Sequence, residues 1–490
     1  MISRRTLLRG GISAAGLGLT GFATLEGCTS QPAPDVVAPS GPQVAAAEAA
    51  RNPGTIRTFA LTAQVSDVDL GGTVVSTWSY GGAFPGTPIR VTAGEQIKAR
   101  LSNQLPADTS IHWHGLALRN DADGVPHVTQ EPIAAGETFT YQFTAPDPGT
   151  FWFHPHTGVQ QDRGLYAPLI VDDPHEPWSY DAEWIVVLDD WLDGVGGNTP
   201  DAQLAQLRQA GHAGGHMMGG ASSPLLGGNA GDVVYPHYLI NGRLPADPDV
   251  FTGKPGQRLR IRFINAGSDT AFRVALSGHA LTVTHTDGFA VNATNTDALL
   301  IGMGERYDVL VTLADGVFPL VALAEGKNAT GRALVRTGAG SAPPAAARPA
   351  ELSRRVVGYG QLRAAPPVSL PERTPQQTIT LTLTGGMMNY DWRFDNKVFA
   401  HDKAAHVISS GERVRVNYLN TTMMWHPVHL HGHTFALGDP GGPRKDTAIV
   451  LPGRRLTTFF DAVNPGQWMI HCHNAYHAEA GMMTLLGYRA

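Results

Sequence analysis

The sequence has 490 residues, 42% of them hydrophobic, with 57 glycines and 35 prolines; that length divides into about three domains, and so much turn-forming Gly and Pro suits an all-β architecture. Charged residues make up 16% and the formal net charge is -6, which excludes a basic surface built for nucleic acid or another extended polyanion. Two cysteines exclude a disulfide framework.

Taken in order, Ser3-Arg4-Arg5-Thr6-Leu7-Leu8 ahead of an apolar run from Gly10 to Leu25 reads as a twin-arginine export signal over residues 1–28. The run is short for a membrane span, so the mature protein is expected outside the cytoplasm, in the cell envelope. Leu25-Glu26-Gly27-Cys28 resembles a lipoprotein cleavage site, with Glu26 where a small or apolar residue is usual; a lipid anchor on Cys28 would be the one membrane attachment. Residues 29–54, rich in Pro and Ala, read as a flexible tether.

From 55 to 175 the chain shows short alternating runs, such as Ile89 to Leu101 and Thr138 to Ala145, broken by Gly, Pro and Asp. This is the pattern of a β-sandwich. Residues 176–340 form a second domain with strands such as Leu281 to Thr286; its lone His279 and His285 read as structural, and the domain as a spacer. A Pro-, Ala- and Arg-rich linker over 341–367 leads to a third domain over 368–490. Gly94 to Leu101, Gly256 to Phe263 and Gly411 to Tyr418 repeat one pattern, which implies three related domains.

The chemistry gathers in four short stretches: His112-Trp113-His114, His154-Pro155-His156, His426-Pro427-Val428-His429-Leu430-His431 and His471-Cys472-His473, the last followed by His477 and Met482. Chance at this histidine content gives roughly one His-x-His pair, and the sequence has five. In an extended strand side chains alternate, so Cys472 faces one way and His471 and His473 the other. Two metal sites therefore share one strand. A thiolate, two imidazoles and a weak thioether make a blue-copper donor set, and eight further histidines are too many for one tetrahedral zinc.

In order, spacing and flanking residues the four stretches resemble those of the multicopper oxidases, and the likeness runs from about Thr55 to the C-terminus. The resemblance implies three cupredoxin-like Greek-key β-sandwich domains, four coppers per chain, dioxygen as electron acceptor and a small reducing substrate as donor. By position, His426, Cys472, His477 and axial Met482 would hold the type 1 copper. His112 and His429 would hold type 2, and His114, His154, His156, His431, His471 and His473 the type 3 pair. The cluster would then form between domains one and three. Asp123 matches a family acid near the cluster, although in Asp123-Gly124 it reads equally as a turn aspartate. Many bacterial relatives carry Glu directly after the last type 1 histidine; here that place is Ala478, and Glu479 follows as the candidate proton carrier.

For the reducing substrate, copper(I) is the leading reading. His212, His216, Met217 and Met218 in one Gly-rich segment, with Met423 and Met424 just before His426, offer soft ligands. Gly-rich flexibility and core packing are the plainer readings of the same residues. Met424 matches a copper(I)-binding methionine of copper-efflux oxidases, but the carboxylate those enzymes carry two residues earlier is Thr422 here. Laccase-type phenol oxidation, ferroxidase activity and copper sequestration are the alternatives.

Overall fold

The computed structural model describes residues 35–212 and 221–490, with His212 described by its backbone alone. The arginine pair, Cys28, His216, Met217 and Met218 lie outside the described residues, so the export and anchoring expectations and most of the His/Met segment do too. Among the described residues no helix is long and apolar enough to cross a membrane.

Strands dominate, and they form three pairs of facing sheets along the chain. The three repeat segments take equivalent places. Strand Gln96–Gln104 runs parallel to Ile56–Asp69 and antiparallel to Thr138–Thr144. Arg258–Asn265 does the same between Ala182–Trp191 and Arg306–Thr312, and Arg413–Asn420 between Gln377–Gly386 and Arg455–Asp461. A shared β-turn feeding an alternating strand thus builds the same central ladder three times. The alternation puts Ile97, Ala99 and Leu101 fully inside, so a one-residue slip would turn each of them to solvent.

The metal-binding motifs sit in the other sheet of the first and third pairs, again equivalently. His112–His114 pairs with Gly149–His154, and His426–Leu430 pairs with Gln467–Cys472. Each motif strand is therefore hydrogen-bonded to the other motif strand of its own domain.

Two expectations about connecting segments fail. Residues 35–51 are no tether: Val37 N–H donates to the Tyr488 carbonyl (2.8 Å), Ala490 N–H donates to Asp35 O (3.0 Å), and Pro42–Ala50 is a helix, α1. Its composition hid this, because Pro at the helix start and Ala within it favour a helix as much as an extended linker. Val44 and Glu48, four apart on one face, are buried, and the Glu48 carboxylate accepts from both Thr144 N–H and its hydroxyl at 2.7 Å. The 341–367 linker is likewise partly structural, since Val356–Val357 adds a parallel strand to Ala298–Ile301 in the middle pair.

Candidate metal centre

At the end of strand Gln467–Cys472 the chain turns into the short helix Ala475–Glu479, α2. Asn474 caps it, its side-chain oxygen accepting from the N–H groups of Tyr476 and His477, which fixes the first turn and brings His477 back over Cys472. Met482 N–H then donates to His477 O (3.0 Å), while Cys472 N–H donates to Met482 O (3.1 Å). Met482 is fully buried.

Around Cys472 Sγ, His426 Nδ1 and His477 Nδ1 each lie 3.6 Å away and 3.0 Å from one another. Their other nitrogens are held by the protein: His426 Nε2–H donates to Thr422 Oγ1 (2.9 Å), and His477 Nε2–H to Asp232 Oδ2 (2.8 Å). The Trp392 ring packs on both imidazoles, at 5.2 Å from His426 and 4.4 Å from His477. Burial would lower the His477 pKa, but Asp232 and the neighbouring Cys472 lift it to about 10, whereas burial holds His426 well below the usual range.

The other eight histidines form a second group at the meeting of the first and third sheet pairs. His112 stacks on His431 and His114 on His429, both at 3.8 Å between ring centres. Potential ligand atoms of His112, His114 and His429 lie within 4.8 Å of each other, as do those of His114, His154 and His473, and those of His156, His431 and His471. Most rings are tethered through one nitrogen. His112 Nδ1–H donates to Asp123 O, His154 Nδ1–H to Pro155 O, His471 Nδ1–H to Cys472 O and His429 Nδ1–H to Asp446 O, at 2.9–3.0 Å. His431 Nδ1–H donates to Asp123 Oδ2 (2.9 Å) and His114 Nε2–H to Asp446 Oδ1 (3.0 Å). Anchoring one ring nitrogen fixes the tautomer and leaves the other free as a ligand. Burial together with neighbouring imidazoles keeps His114, His154, His431, His471 and His473 well below the usual pKa and His156 down to about 3. They are therefore neutral bases, as metal binding requires.

Models of the multicopper oxidase family match residues 62–176, 183–340 and 372–489. The chain belongs to the multicopper oxidase family. A multicopper oxidase of Mycobacterium tuberculosis, MmcO, is 50% identical over 99% of this chain and 97% of the relative. A copper resistance protein A homolog of Pseudomonas syringae pv. tomato is 28% identical over 86% of this chain and 91% of its own length. Among solved structures, Fet3p, a multicopper oxidase that functions in iron import, superposes with a TM-score of 0.74 at 21% identity, covering 88% of this chain and 90% of that one. The multi-copper oxidase of Pseudomonas thermotolerans gives 0.69 at 26% identity, covering 89% of this chain and all of that one. The three sheet pairs are accordingly cupredoxin-like β-sandwiches.

Copper is the metal of this multicopper oxidase, and the residues fit it. His154 Nε2, His156 Nε2, His431 Nε2 and His471 Nε2 are buried with no hydrogen-bond partner, a costly arrangement for polar atoms unless another ligand satisfies them. A thiolate with two Nδ1 donors suits a soft, one-electron metal.

The structure separates the candidate acids. Asp123 closes the turn Asn120–Ala122 and touches His112 and His431, so it is a turn aspartate aimed at the cluster. Glu479 is elsewhere: burial raises its pKa, and its charged neighbours are Arg208 and Asp201. Among the described residues the carboxylates in contact with the eight histidines are Asp123 and Asp446.

Asp446, Arg306, Gly304 and Asp232 carry no motif and were missed. Fully buried Arg306 donates to Asp446 Oδ1 and Oδ2 (2.7 and 2.6 Å), Thr150 O and Gly304 O, tying all three domains together. Burial would raise the Asp446 pKa, but Arg306 and His114 hold it well below the carboxylate range. At Gly304, φ +81°, a Cβ would stand 2.9 Å from His473 Cδ2 and 3.0 Å from His114 Cε1, so glycine is needed for the backbone to cover the cluster. The middle domain is more than a spacer, although His279 and His285 are structural: His279 Nε2 accepts from Ala314 N–H, and His285 lies against Arg260 and Thr284.

Proposed function

We propose that this oxidase couples oxidation of copper(I) to reduction of dioxygen to water and serves copper tolerance in the cell envelope. In this reading His426, Cys472, His477 and Met482 hold the type 1 copper, His112 and His429 the type 2, and His114, His154, His156, His431, His471 and His473 the type 3 pair, four ions in all. Bound there, the coppers supply one-electron acceptance and four-electron reduction of dioxygen. The protein's own part is positional. Cys472 is bonded through its backbone to His471 and His473, so both sites share one rigid strand. Asp123 Oδ2 keeps a proton on His431 Nδ1 and lies beside His112, the right place to hand protons to the cluster. Thr422 and Asp232 orient the two type 1 imidazoles from outside.

The observation that carries the substrate reading is where the His/Met segment joins the body. Its N-terminal end leaves the helix Pro200–His212, whose Gly211 is so close to the Met387–Tyr390 turn that a Cβ would stand 2.8 Å from Met387 O. Tyr390 leads on to Trp392, which packs on His477. Its C-terminal end, Ala221, packs in the apolar cluster of Trp425, next to His426. Both ends thus flank the type 1 residues. Met423 is 84% exposed there while Met424 is buried in the core, which makes Met423 the accessible thioether. The copper resistance relatives support the same role. The export signal and the lipid anchor at Cys28 belong to this proposal.

Deleting residues 213–218 together with Met423→Leu tests it. The KM for copper(I) is expected to rise severalfold with phenol oxidation unchanged; an unchanged KM for copper(I) refutes the reading. Copper binding without dioxygen consumption would favour sequestration.

A further inference from the structure

Outside both copper centres, two histidines of different domains meet at the surface with the spacing of a ligand pair. His127 follows Asp123 in the first domain, and His401 lies in the third, in the loop between the strands Asp391–Phe394 and His406–Ile408. The two loops dock through apolar side chains: Val125 and Val128 of one and Phe399 and Ala404 of the other share a cluster with Met469, two residues before His471. The rings of His127 and His401 stand edge to face with their centres 5.6 Å apart. His112 and His429, read above as the type 2 ligands, show the same separation, 5.6 Å, and are also edge to face. An ion about 2 Å from one nitrogen of each ring puts the ring centres roughly 4.5–6.5 Å apart, so the two rings can share one ion.

The surroundings of the pair suit a cation. Glu131 Oε2 lies 3.6 Å from His127 Nδ1, too far for a hydrogen bond but close to the roughly 3.3 Å that separates two donors on one tetrahedral ion. His127 holds φ +63°, a left-handed conformation that few residues other than glycine adopt, and its N–H donates to Gln130 O at 2.8 Å. Burial and then His127 lower the pKa of His401, which favours the neutral imidazole that metal binding requires. Two imidazoles and a carboxylate suit a divalent first-row ion, and copper(II) is the tightest bound of that series. The position gives such an ion a destination. Among the eight cluster histidines His156 alone is half-buried, and its Nε2 has no hydrogen-bond partner. Burial first, then His112 and His429, bring the His156 pKa down to about 3, and His401 acts in the same sense, so His401 is within electrostatic reach of the one cluster ligand that meets solvent.

We propose that His127, His401 and Glu131 form a surface copper(II) site, additional to the four of the family, which receives copper for the histidine cluster and passes it to His156. The transfer is a ligand exchange: the ion leaves two imidazoles and a carboxylate for the imidazoles of the cluster, and its oxidation state does not change. Because the two loops belong to different domains, the site exists only once the first and third domains have docked. It uses none of the residues assigned to the electron donor and is independent of whether that donor is copper(I).

The test has two stages. Untagged enzyme already holding its four coppers is dialysed against copper(II) chloride, and the further copper is counted by metal analysis and by its own electron paramagnetic resonance signal. His127→Asn, which keeps a residue tolerant of the left-handed backbone, together with His401→Gln should weaken this binding at least roughly tenfold, the low end of what losing even an outer partner of a metal site costs. Glu131→Gln should weaken it by a smaller factor. Metal-free full-length protein is then given limiting copper(II), with copper content after desalting and the blue absorption followed over time. In the double variant the cluster should fill several times more slowly while the blue absorption rises at the parent rate, and both should reach the parent end point. His401→Gln alone, a change at an exposed side chain, keeps the test decisive if the double variant does not fold. Parent affinity for the further copper in the variants overturns the site, and weakened binding with a parent rate of cluster filling overturns its role in loading. Equal slowing at both centres would likewise overturn that role, by showing a general effect on the fold.

Discussion

Arg306→Met should be among the most damaging substitutions outside the ligands. The guanidinium makes a two-pronged pair with Asp446 at 2.7 and 2.6 Å and donates to the carbonyls of Thr150, Gly304 and Asp287. Both side chains of the pair are 0% exposed. Methionine keeps much of the volume but leaves the Asp446 charge buried with His114 and Thr447 as its remaining donors. Breaking a buried pair from one side costs about 3–5 kcal/mol, roughly two to three and a half powers of ten in the folding equilibrium. Urea unfolding of copper-free protein, followed by tryptophan fluorescence, measures this without a contribution from the metal. The loaded variant should also lose copper at the cluster, because Asp446, on which His114 Nε2–H is anchored, is no longer held in place by the guanidinium, while the blue absorption persists. Arg306→Lys, with the charge but not the fork, should recover part of the stability. A methionine variant that unfolds at the wild-type urea concentration and binds full copper would refute the argument.

Cys472→Ser should remove the blue absorption and about one copper in four, the cluster still assembling; metal analysis with visible spectroscopy checks this, and a variant that stays blue refutes the ligand assignment. Gly124→Ala should disable the cluster without touching a ligand, because at φ +78° the new Cβ would meet Ile111 O at 1.7 Å and push Asp123 from His112 and His431; normal dioxygen uptake would contradict it. Asp308 gives a pH signature. Burial would raise its pKa, but Arg260 and Arg262 outweigh that and hold it below the usual range. A depressed carboxylate stabilises the fold above its unfolded pKa of about 3.9 and loses that stabilisation as pH falls through its folded value. The stability gap between wild type and Asp308→Asn should be full at pH 7 and narrow below about pH 4; a gap constant down to pH 2 would exclude the linkage.

The gathering of the motif histidines and Cys472 and the three-fold repeat were legible because both are written in local periodicity: alternation along one strand assigns Cys472 and His471 to opposite faces without tertiary information. The supporting residues were not. Asp446 and Arg306 are 140 residues apart and carry no local pattern, and their meaning comes from burial that arises only when three domains close. Asp232 is equally silent, a loop acid until it meets His477. Glu479 shows the converse, because closeness in sequence to His477 says nothing of a side chain's surroundings: its charged neighbours are Arg208 and Asp201. The tether misreading arose because Ala-rich composition is compatible with two backbone states, and the docking of Val44 and Glu48 selects one.

The stacked imidazoles at the domain interface also set an order of events during synthesis. His112, His114, His154 and His156 leave the ribosome first, and 270 further residues must be added after His156 before His426 exists. At roughly 5–20 residues per second, the first sandwich waits about 15–55 s with four imidazoles and no partners. In that interval it is a half-site that any divalent ion could occupy, since ligand type alone discriminates poorly among first-row metals. The clasp between residues 35–37 and the last strand closes only when the final residues are free, so selective loading belongs to the completed chain. A metal-free compartment during synthesis, with copper met afterwards, is the order that this architecture favours.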